Sequence, residues 1–272
     1  LRMVRELGKD VTSTGDNSVR IGGSVSSNQA PLDLVRKMRA SFLVLAPLVG
    51  KTGEAEVPLP GGCNIGTRPV NLHLEGLKQL GVEIIQDDGK IVARTEDLSG
   101  SDIFLDYPSV GATEQLLMAA VVSEGTTKIY NGAQEPEIRD LANFLTKLGA
   151  EININGSILT VEGIAANDLG GTDYEVLPDR IAAGTYMIAT GAAGGDIDVE
   201  AIDPSILKPL TLKLRKAGII VEENETGVHV ERQDRPENLE VITLPYPGFP
   251  TDLQAPVTSL LSLADGKSIV KE

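Results

Sequence analysis

A chain of 272 residues with 41% hydrophobic residues is long enough to bury two ordinary globular cores. Its formal net charge of −15, with 3% aromatics and no Trp, argues against a nucleic-acid or anionic-membrane surface and against base-stacking platforms, although a small anionic substrate needs only a few focused cations. One cysteine excludes a disulfide within the chain and fits a reducing cytoplasm, and no apolar run approaches the ~18 residues of a membrane helix, so no membrane insertion is expected.

In chain order, Leu1–Gly8 reads as the end of an amphipathic helix and Val11–Gly22 as a hairpin. A helix is predicted near Leu32–Leu48 and a strand near Glu54–Pro58. A second helix stops at Leu80-Gly81, and a hairpin turns at Asp87-Asp88-Gly89 to return along Lys90–Ala93. The order then recurs, with a helix near Thr113–Ser123 and a strand near Thr127–Tyr130. Next comes a helix whose Ile138, Leu141, Leu145 and Leu148 share one face, and a hairpin turning at Asn155-Gly156 into Ile158–Val161. It recurs once more, with a helix near Ile181–Gly191, a strand near Asp196–Glu200, a helix stopping at Ala217-Gly218, and a turn at Glu225-Thr226-Gly227 into Val228–Glu231. Thr251–Lys271 supplies a first helix and an opening strand.

One phrase marks the period. Leu80-Gly81-Val82-Glu83-Ile84, Leu148-Gly149-Ala150-Glu151-Ile152 and Ala217-Gly218-Ile219-Ile220-Val221 recur 68 and 69 residues apart, each with the glycine that stops a helix. The repeat is helix, strand, helix and two-stranded hairpin, with a further strand leading in. This is a mixed α/β unit, longer than the common solenoid repeats. The chain holds half a repeat, three whole ones and another half, and on that ground it reads as a fragment.

The chemistry concentrates in Pro60-Gly61-Gly62-Cys63-Asn64-Ile65-Gly66-Thr67-Arg68-Pro69. A lone cysteine is usually a small buried hydrophobe. Here it sits among three glycines, with an arginine five positions on. That setting favours a loop thiol whose thiolate form a cation stabilises.

This loop, together with Leu177-Pro178-Asp179-Arg180 and Tyr246-Pro247-Gly248-Phe249-Pro250-Thr251-Asp252-Leu253-Gln254, resembles the enolpyruvyl transferases, in particular the branch acting on UDP-N-acetylglucosamine. The resemblance covers essentially the whole chain. It implies an α/β fold of repeated helix-strand-helix-hairpin units, a two-domain inside-out α/β barrel with helices within and sheets facing solvent, truncated here at both ends. Residues 1–177 are expected to form the domain that carries the cysteine loop, lacking its first strands. Residues 178–272 are expected to form part of the second domain, with the active site in the cleft between the two.

The resemblance further implies transfer of enolpyruvyl from phosphoenolpyruvate to the 3-hydroxyl of UDP-N-acetylglucosamine, releasing phosphate, with no cofactor and no metal. That is the first committed step of peptidoglycan synthesis, in the cytoplasm. On matching motifs, Cys63 is the acid on phosphoenolpyruvate and the target of fosfomycin, which members with Asp at this place resist. Asp252 engages the sugar hydroxyl. Arg39 and Arg68 bind phosphoenolpyruvate and the nucleotide sugar; Pro69, Val70, Asn71 and Leu72, with Ser109, Val110 and Gly111, hold the uracil and diphosphate, mostly through the main chain. Asp179 and Arg180 stand at the crossover between domains, in an ion pair or a sugar contact.

Each residue has a plainer alternative. Asp179 and Asp252 can be helix N-caps, and either arginine can be a solvated charge. Arg39, placed mid-helix between Val35 and Phe42, should face a partner or a cleft, because unpaired burial is costly. Where family members often carry a lysine before Ser-Val-Gly, this chain has Tyr107-Pro108. The family's Lys-Asn pair and its later phosphoenolpyruvate-binding arginines are not among these residues, so the isolated chain is expected to be inactive. A shikimate-pathway transferase, an inactive nucleotide-sugar-binding paralogue and a pure scaffold are the competing readings. The first lacks a Gly-Gly-Cys loop, and the other two leave Cys63, Arg68 and Asp252 without a purpose.

Overall fold

Glycine sets the rhythm of the chain. Gly8, Gly81, Gly149 and Gly218 each follow a helix with φ between +79° and +116°, a region costly for any residue with a Cβ, so the helix stops there and the chain turns into a hairpin. A computed structural model describes residues 1–61 and 69–272.

The first half-repeat is α1 (Arg2–Glu6) with the hairpin β1 (Asp10–Gly15) and β2 (Ser18–Gly22). The first whole repeat holds α2 (Leu32–Val35), a 3-10 turn Arg39–Val44, α3 (Leu45–Thr52), β3 (Glu54–Pro58), α4 (Asn71–Gln79), β4 (Glu83–Asp87) and β5 (Lys90–Arg94). The second holds β6 (Asp102–Phe104), α5 (Val110–Val121), β7 (Thr126–Tyr130), α6 (Pro136–Lys147), β8 (Glu151–Asn155) and β9 (Ile158–Glu162). The third holds α7 (Arg180–Ala193), β10 (Gly195–Glu200), a 3-10 turn Pro204–Leu207, α8 (Lys208–Lys216), β11 (Ile220–Glu223) and β12 (Gly227–Arg232). Last come β13 (Glu240–Ile242), a 3-10 turn Thr251–Leu253, α9 (Gln254–Leu261) and β14 (Ile269–Lys271).

The three whole repeats build the same sheet. In the orders β3-β5-β4, β7-β9-β8 and β10-β12-β11, the first strand and the outgoing hairpin strand both pair antiparallel with the returning one. The lead-in strand is real but short. β6 joins β7 and β13 joins β14 in parallel, while the first repeat shows only a Gln29–Glu56 bridge. No strand is described between Glu175 and Asp179, before α7.

One expected element breaks. The helix predicted over Leu32–Leu48 is α2, the 3-10 turn and the start of α3, interrupted where Met38 is extended at φ −144°, ψ 118°. Pro47 explains the restart. It has no N–H to give an earlier carbonyl, and beginning α3 at Leu45 places it in a first turn, where none is needed. Arg39 therefore opens a 3-10 turn instead of standing mid-helix.

The chain forms two compact units, Leu1–Ala133 with Ile138–Tyr174, and Gln134–Glu137 with Glu175–Glu272. Each has its own core, the first built around Phe42, Leu77, Leu116 and Ile129, the second around Met187, Leu210, Val230 and Leu260. α5 is buried on most of its circumference, while β9 alternates buried Leu159 and Val161 with exposed neighbours. β7 and β9 turn one face to the core and the other outward, whereas the β1–β2 hairpin is exposed on both faces.

Close approach fixes the helix directions. A Cβ on Gly76 would lie 2.5 Å from Leu116, and one on Gly111 would lie 3.1 Å from the His73 ring. Because the contacts climb together along both chains, α4 and α5 run parallel. Gly184 against Leu253 and Gly191 against Leu260 make α7 and α9 parallel in the same way. In each pair, the two helix starts lie at one end.

Candidate active site

In the first compact unit, the segments Pro69–Leu72 and Ser109–Gly111 are the beginnings of α4 and α5, and the parallel packing brings them side by side. Val70 precedes α4 and gives it no side-chain cap, whereas the Ser109 hydroxyl accepts from Ala112 N at 3.3 Å. Backbone N–H groups at such helix starts attract anions. Arg39 is half-buried and donates from Nη2 to the Pro69 carbonyl at 3.3 Å, which answers the expectation that its charge faces a partner.

Behind these starts lies a buried polar pair that links the two helices. His73 Nδ1 donates to Gln115 Oε1 at 2.7 Å, and Phe42 meets the imidazole edge-on at 5.5 Å. Burial pushes the His73 pKa down to about 4, the Gln115 bond pulling it upward and the Arg39 charge adding to the fall. The ring is thus neutral at pH 7. Gln115 Nε2 is buried with no hydrogen-bond partner among the described residues. Tyr107, two residues before Ser109, is 57% exposed. Cys63 and Arg68 lie outside the described residues.

In the second compact unit, Asp179 caps α7, its Oδ1 accepting from Ile181 N at 2.9 Å and Ala182 N at 3.0 Å. Arg180 is buried and forked onto Glu137, with Nε to Oε1 at 2.9 Å and Nη2 to Oε2 at 3.3 Å. Its guanidinium carbon lies 5.8 Å from the Tyr246 ring. A shallow pocket lined by Arg180, Leu207, Leu210, Pro250 and Leu253 gathers the starts of α7, α8 and the Thr251–Leu253 turn.

Asp252 corrects the plainer expectation. It lies inside the 3-10 turn, which is preceded by Pro250, and neither that turn nor α9 has a side-chain cap. The carboxylate is exposed and accepts no hydrogen bond among the described residues. Its two look-alike aspartates therefore differ: Asp179 is a cap and Asp252 is not.

Ser109, Asp179-Arg180 and Asp252 stand where the first helical segment of successive repeats begins, while Arg39 opens the 3-10 turn that follows α2. Sequence reasoning missed His73, Gln115, Glu135 and Glu137. His73 and Gln115 are polar residues on otherwise apolar helix faces. Glu135-Pro136-Glu137 has the acidic, proline-marked form of a helix start. Both signals were available in the sequence.

The sequence profile of the family described as EPSP synthase (3-phosphoshikimate 1-carboxyvinyltransferase) matches residues 1–272. The chain belongs to this family. Among its relatives, the UDP-N-acetylglucosamine 1-carboxyvinyltransferase 2 of Carboxydothermus hydrogenoformans is 46% identical over 275 residues, covering 100% of this chain and 65% of that protein. The UDP-N-acetylglucosamine 1-carboxyvinyltransferase of Solidesulfovibrio magneticus is 46% identical over 274 residues, with the same coverage. The chain thus spans 65% of the length of these curated relatives. Among solved structures, the enolpyruvyl transferase NikO from Streptomyces tendae superposes with a TM-score of 0.86 at 22% identity, over 99% of this chain and 65% of that one. At that identity the likeness shows the family fold. No helix among the described residues is long and apolar enough to cross a membrane.

Proposed function

We propose that this chain supplies part of the active site of an enzyme that transfers enolpyruvyl from phosphoenolpyruvate to the 3-hydroxyl of UDP-N-acetylglucosamine, releasing phosphate, in cytoplasmic peptidoglycan synthesis. The observation that carries the reading is the pairing of helix starts in the first compact unit. The two segments assigned to the nucleotide, Pro69–Leu72 and Ser109–Gly111, are neighbours at one end of parallel helices, a setting suited to a diphosphate. The names of the relatives at 46% identity favour this sugar nucleotide over shikimate 3-phosphate.

In this reading, Asp252 takes the proton of the sugar 3-hydroxyl as its oxygen bonds to C2 of phosphoenolpyruvate, and Cys63 protonates C3. Loss of a proton from C3 then expels phosphate from C2 and restores the double bond. An exposed carboxylate without a competing partner among the described residues is available for that first step. Arg39 and Arg68 offset the substrate's negative charge, Arg39 oriented by its bond to Pro69. Residues 1–177 form the cysteine-loop domain and 178–272 part of a second, and Cys63 is the group that fosfomycin alkylates.

Phosphate release by the full protein tests the reading, with phosphoenolpyruvate and either UDP-N-acetylglucosamine or shikimate 3-phosphate as acceptor. Release with the sugar nucleotide alone is expected; release only with the shikimate acceptor overturns it.

A further inference from the structure

Glu135 has no part in the chemistry described so far, yet its surroundings are unusual. The residue is 9% exposed, its Oε1 accepts from Tyr246 N at 3.3 Å, and its Oε2 is buried with no hydrogen-bond partner among the described residues. A carboxylate can accept about four hydrogen bonds, and burying one so poorly satisfied costs stability. Packing does not account for that cost, because an apolar side chain would fill the space without it. What the carboxylate does is grip one backbone N–H in a sequence-distant turn.

That turn leads directly to Asp252. Leu244 N donates to Phe249 O at 3.0 Å and Gly248 N to Pro245 O at 2.8 Å, closing a loop with Tyr246 at its tip. Phe249 is buried, Leu253 N then donates to Pro250 O at 3.1 Å, and Asp252 sits within that last 3-10 turn. The Tyr246 ring rests against Arg180, which Glu137 holds from the same Glu135-Pro136-Glu137 segment. Two carboxylates two residues apart thus steady the tip of the turn, Glu135 through its backbone and Glu137 through Arg180.

We propose that Glu135 is a positioning residue for the transfer reaction, its bond to Tyr246 N fixing the turn that aims Asp252. The proposal rests on the reading of Asp252 as the group that engages the sugar hydroxyl. Misplacing a catalytic group by about 1 Å can cost on the order of 100-fold in rate, so a lost anchor should be read in turnover and not in nucleotide affinity.

The test is a double-mutant cycle in the full protein, using Glu135→Ala, Asp252→Ala and the double variant, with Glu135→Gln as the conservative control. Glu135→Ala should lower kcat by roughly 10- to 100-fold while leaving UDP-N-acetylglucosamine binding within about threefold, and Glu135→Gln, which keeps an acceptor for Tyr246 N, should recover most of it. In the Asp252→Ala background, Glu135→Ala should cost little more, because the two act as one unit. Amide exchange at Tyr246 should quicken in Glu135→Ala and stay slow in Glu135→Gln. Independent, multiplicative losses in the cycle, or unchanged exchange at Tyr246, overturn the positioning role and leave the Asp252 reading standing. Wild-type turnover in Asp252→Ala instead overturns that underlying reading.

Discussion

Two aspartates at helix starts, Asp179 and Asp252, should respond oppositely to the same change. Asp179 accepts two backbone N–H groups at the start of α7, so Asp179→Ala strands both donors and should cost about 1 kcal/mol, within the 0.5–2 kcal/mol usual for lost caps. In a chain of this size that is a fall in Tm of about 2–4 °C if the chain unfolds as one. Asp252 is exposed and bonded to nothing described, so Asp252→Ala should change stability by no more than about 0.5 kcal/mol. Turnover should reverse the order. Removing a group that moves a proton in the transition state costs about 10²- to 10⁴-fold, whereas a weakened cap on α7 leaves the chemistry nearly intact.

Scanning calorimetry on both variants, beside phosphate release by the full protein, gives the two axes. The expected pattern is a lowered melting point with turnover for Asp179→Ala, and a normal melting point without turnover for Asp252→Ala. If Asp252→Ala melts early and keeps wild-type turnover, Asp252 is a structural residue and the assignment of the sugar-side group is wrong.

Three further outcomes are expected. Gly76→Ala would bring a methyl within 3.0 Å of three atoms of the fully buried Leu116; overpacking of about 1–3 kcal/mol should outweigh the ~1 kcal/mol helix gain, lowering both Tm and UDP-N-acetylglucosamine affinity, and an unchanged Tm would refute the tight α4–α5 contact. The two histidines should titrate in opposite senses. His73, held down to about 4, contributes stability that is full above the unfolded pKa of about 6.5 and lost as pH falls toward 4, while His229, raised first by its bond to Asp198, contributes stability that is full below that unfolded value and lost as pH rises through its folded one. Unfolding of His73→Gln at pH 7.5 and 4.5 should show less acid destabilisation than wild type, and an identical pH dependence would exclude His73. Fosfomycin should add once to the full protein, at Cys63 and faster with the sugar nucleotide present; intact mass without an adduct in either condition removes the thiol from the mechanism.

The fold was legible where its cause is local. Gly81, Gly149 and Gly218 announce a helix stop because positive φ excludes most other residues, and the hairpins follow from the turns next to them. The break near Met38 was hidden, since the apolar spacing of Leu34, Val35, Phe42 and Leu45 suits one long helix. Pro47 is the contrary signal, because it favours a helix that starts just before it. The site was legible only as motifs. Pro178-Asp179 and Pro250-Thr251-Asp252 look alike in sequence, but in the second the residue preceding the turn is Pro250 itself, leaving its aspartate two positions too deep to cap. The bond from Glu135 to Tyr246 spans 111 residues and leaves no local trace.

The repeat also explains why the assigned residues stand where they do. A helix start leaves its first N–H groups without intrahelical partners, so each repeat carries a polar, anion-attracting end at an equivalent place. Parallel packing of α4 with α5, and of α7 with α9, puts such ends together in pairs, one pair in each compact unit. The repeats differ in which residue stands at such a start. Arg39 supplies charge toward Pro69, Ser109 a hydroxyl cap, Asp179 a cap beside the buried Arg180, and Asp252 a carboxylate that accepts no hydrogen bond from the described residues. Three of these four starts satisfy their own backbone or a neighbour. Among the described residues Asp252, alone of these four, makes no side-chain hydrogen bond, and in a structure that otherwise caps or pairs the residues at these positions, that is the strongest physical reason to look for its partner in a substrate.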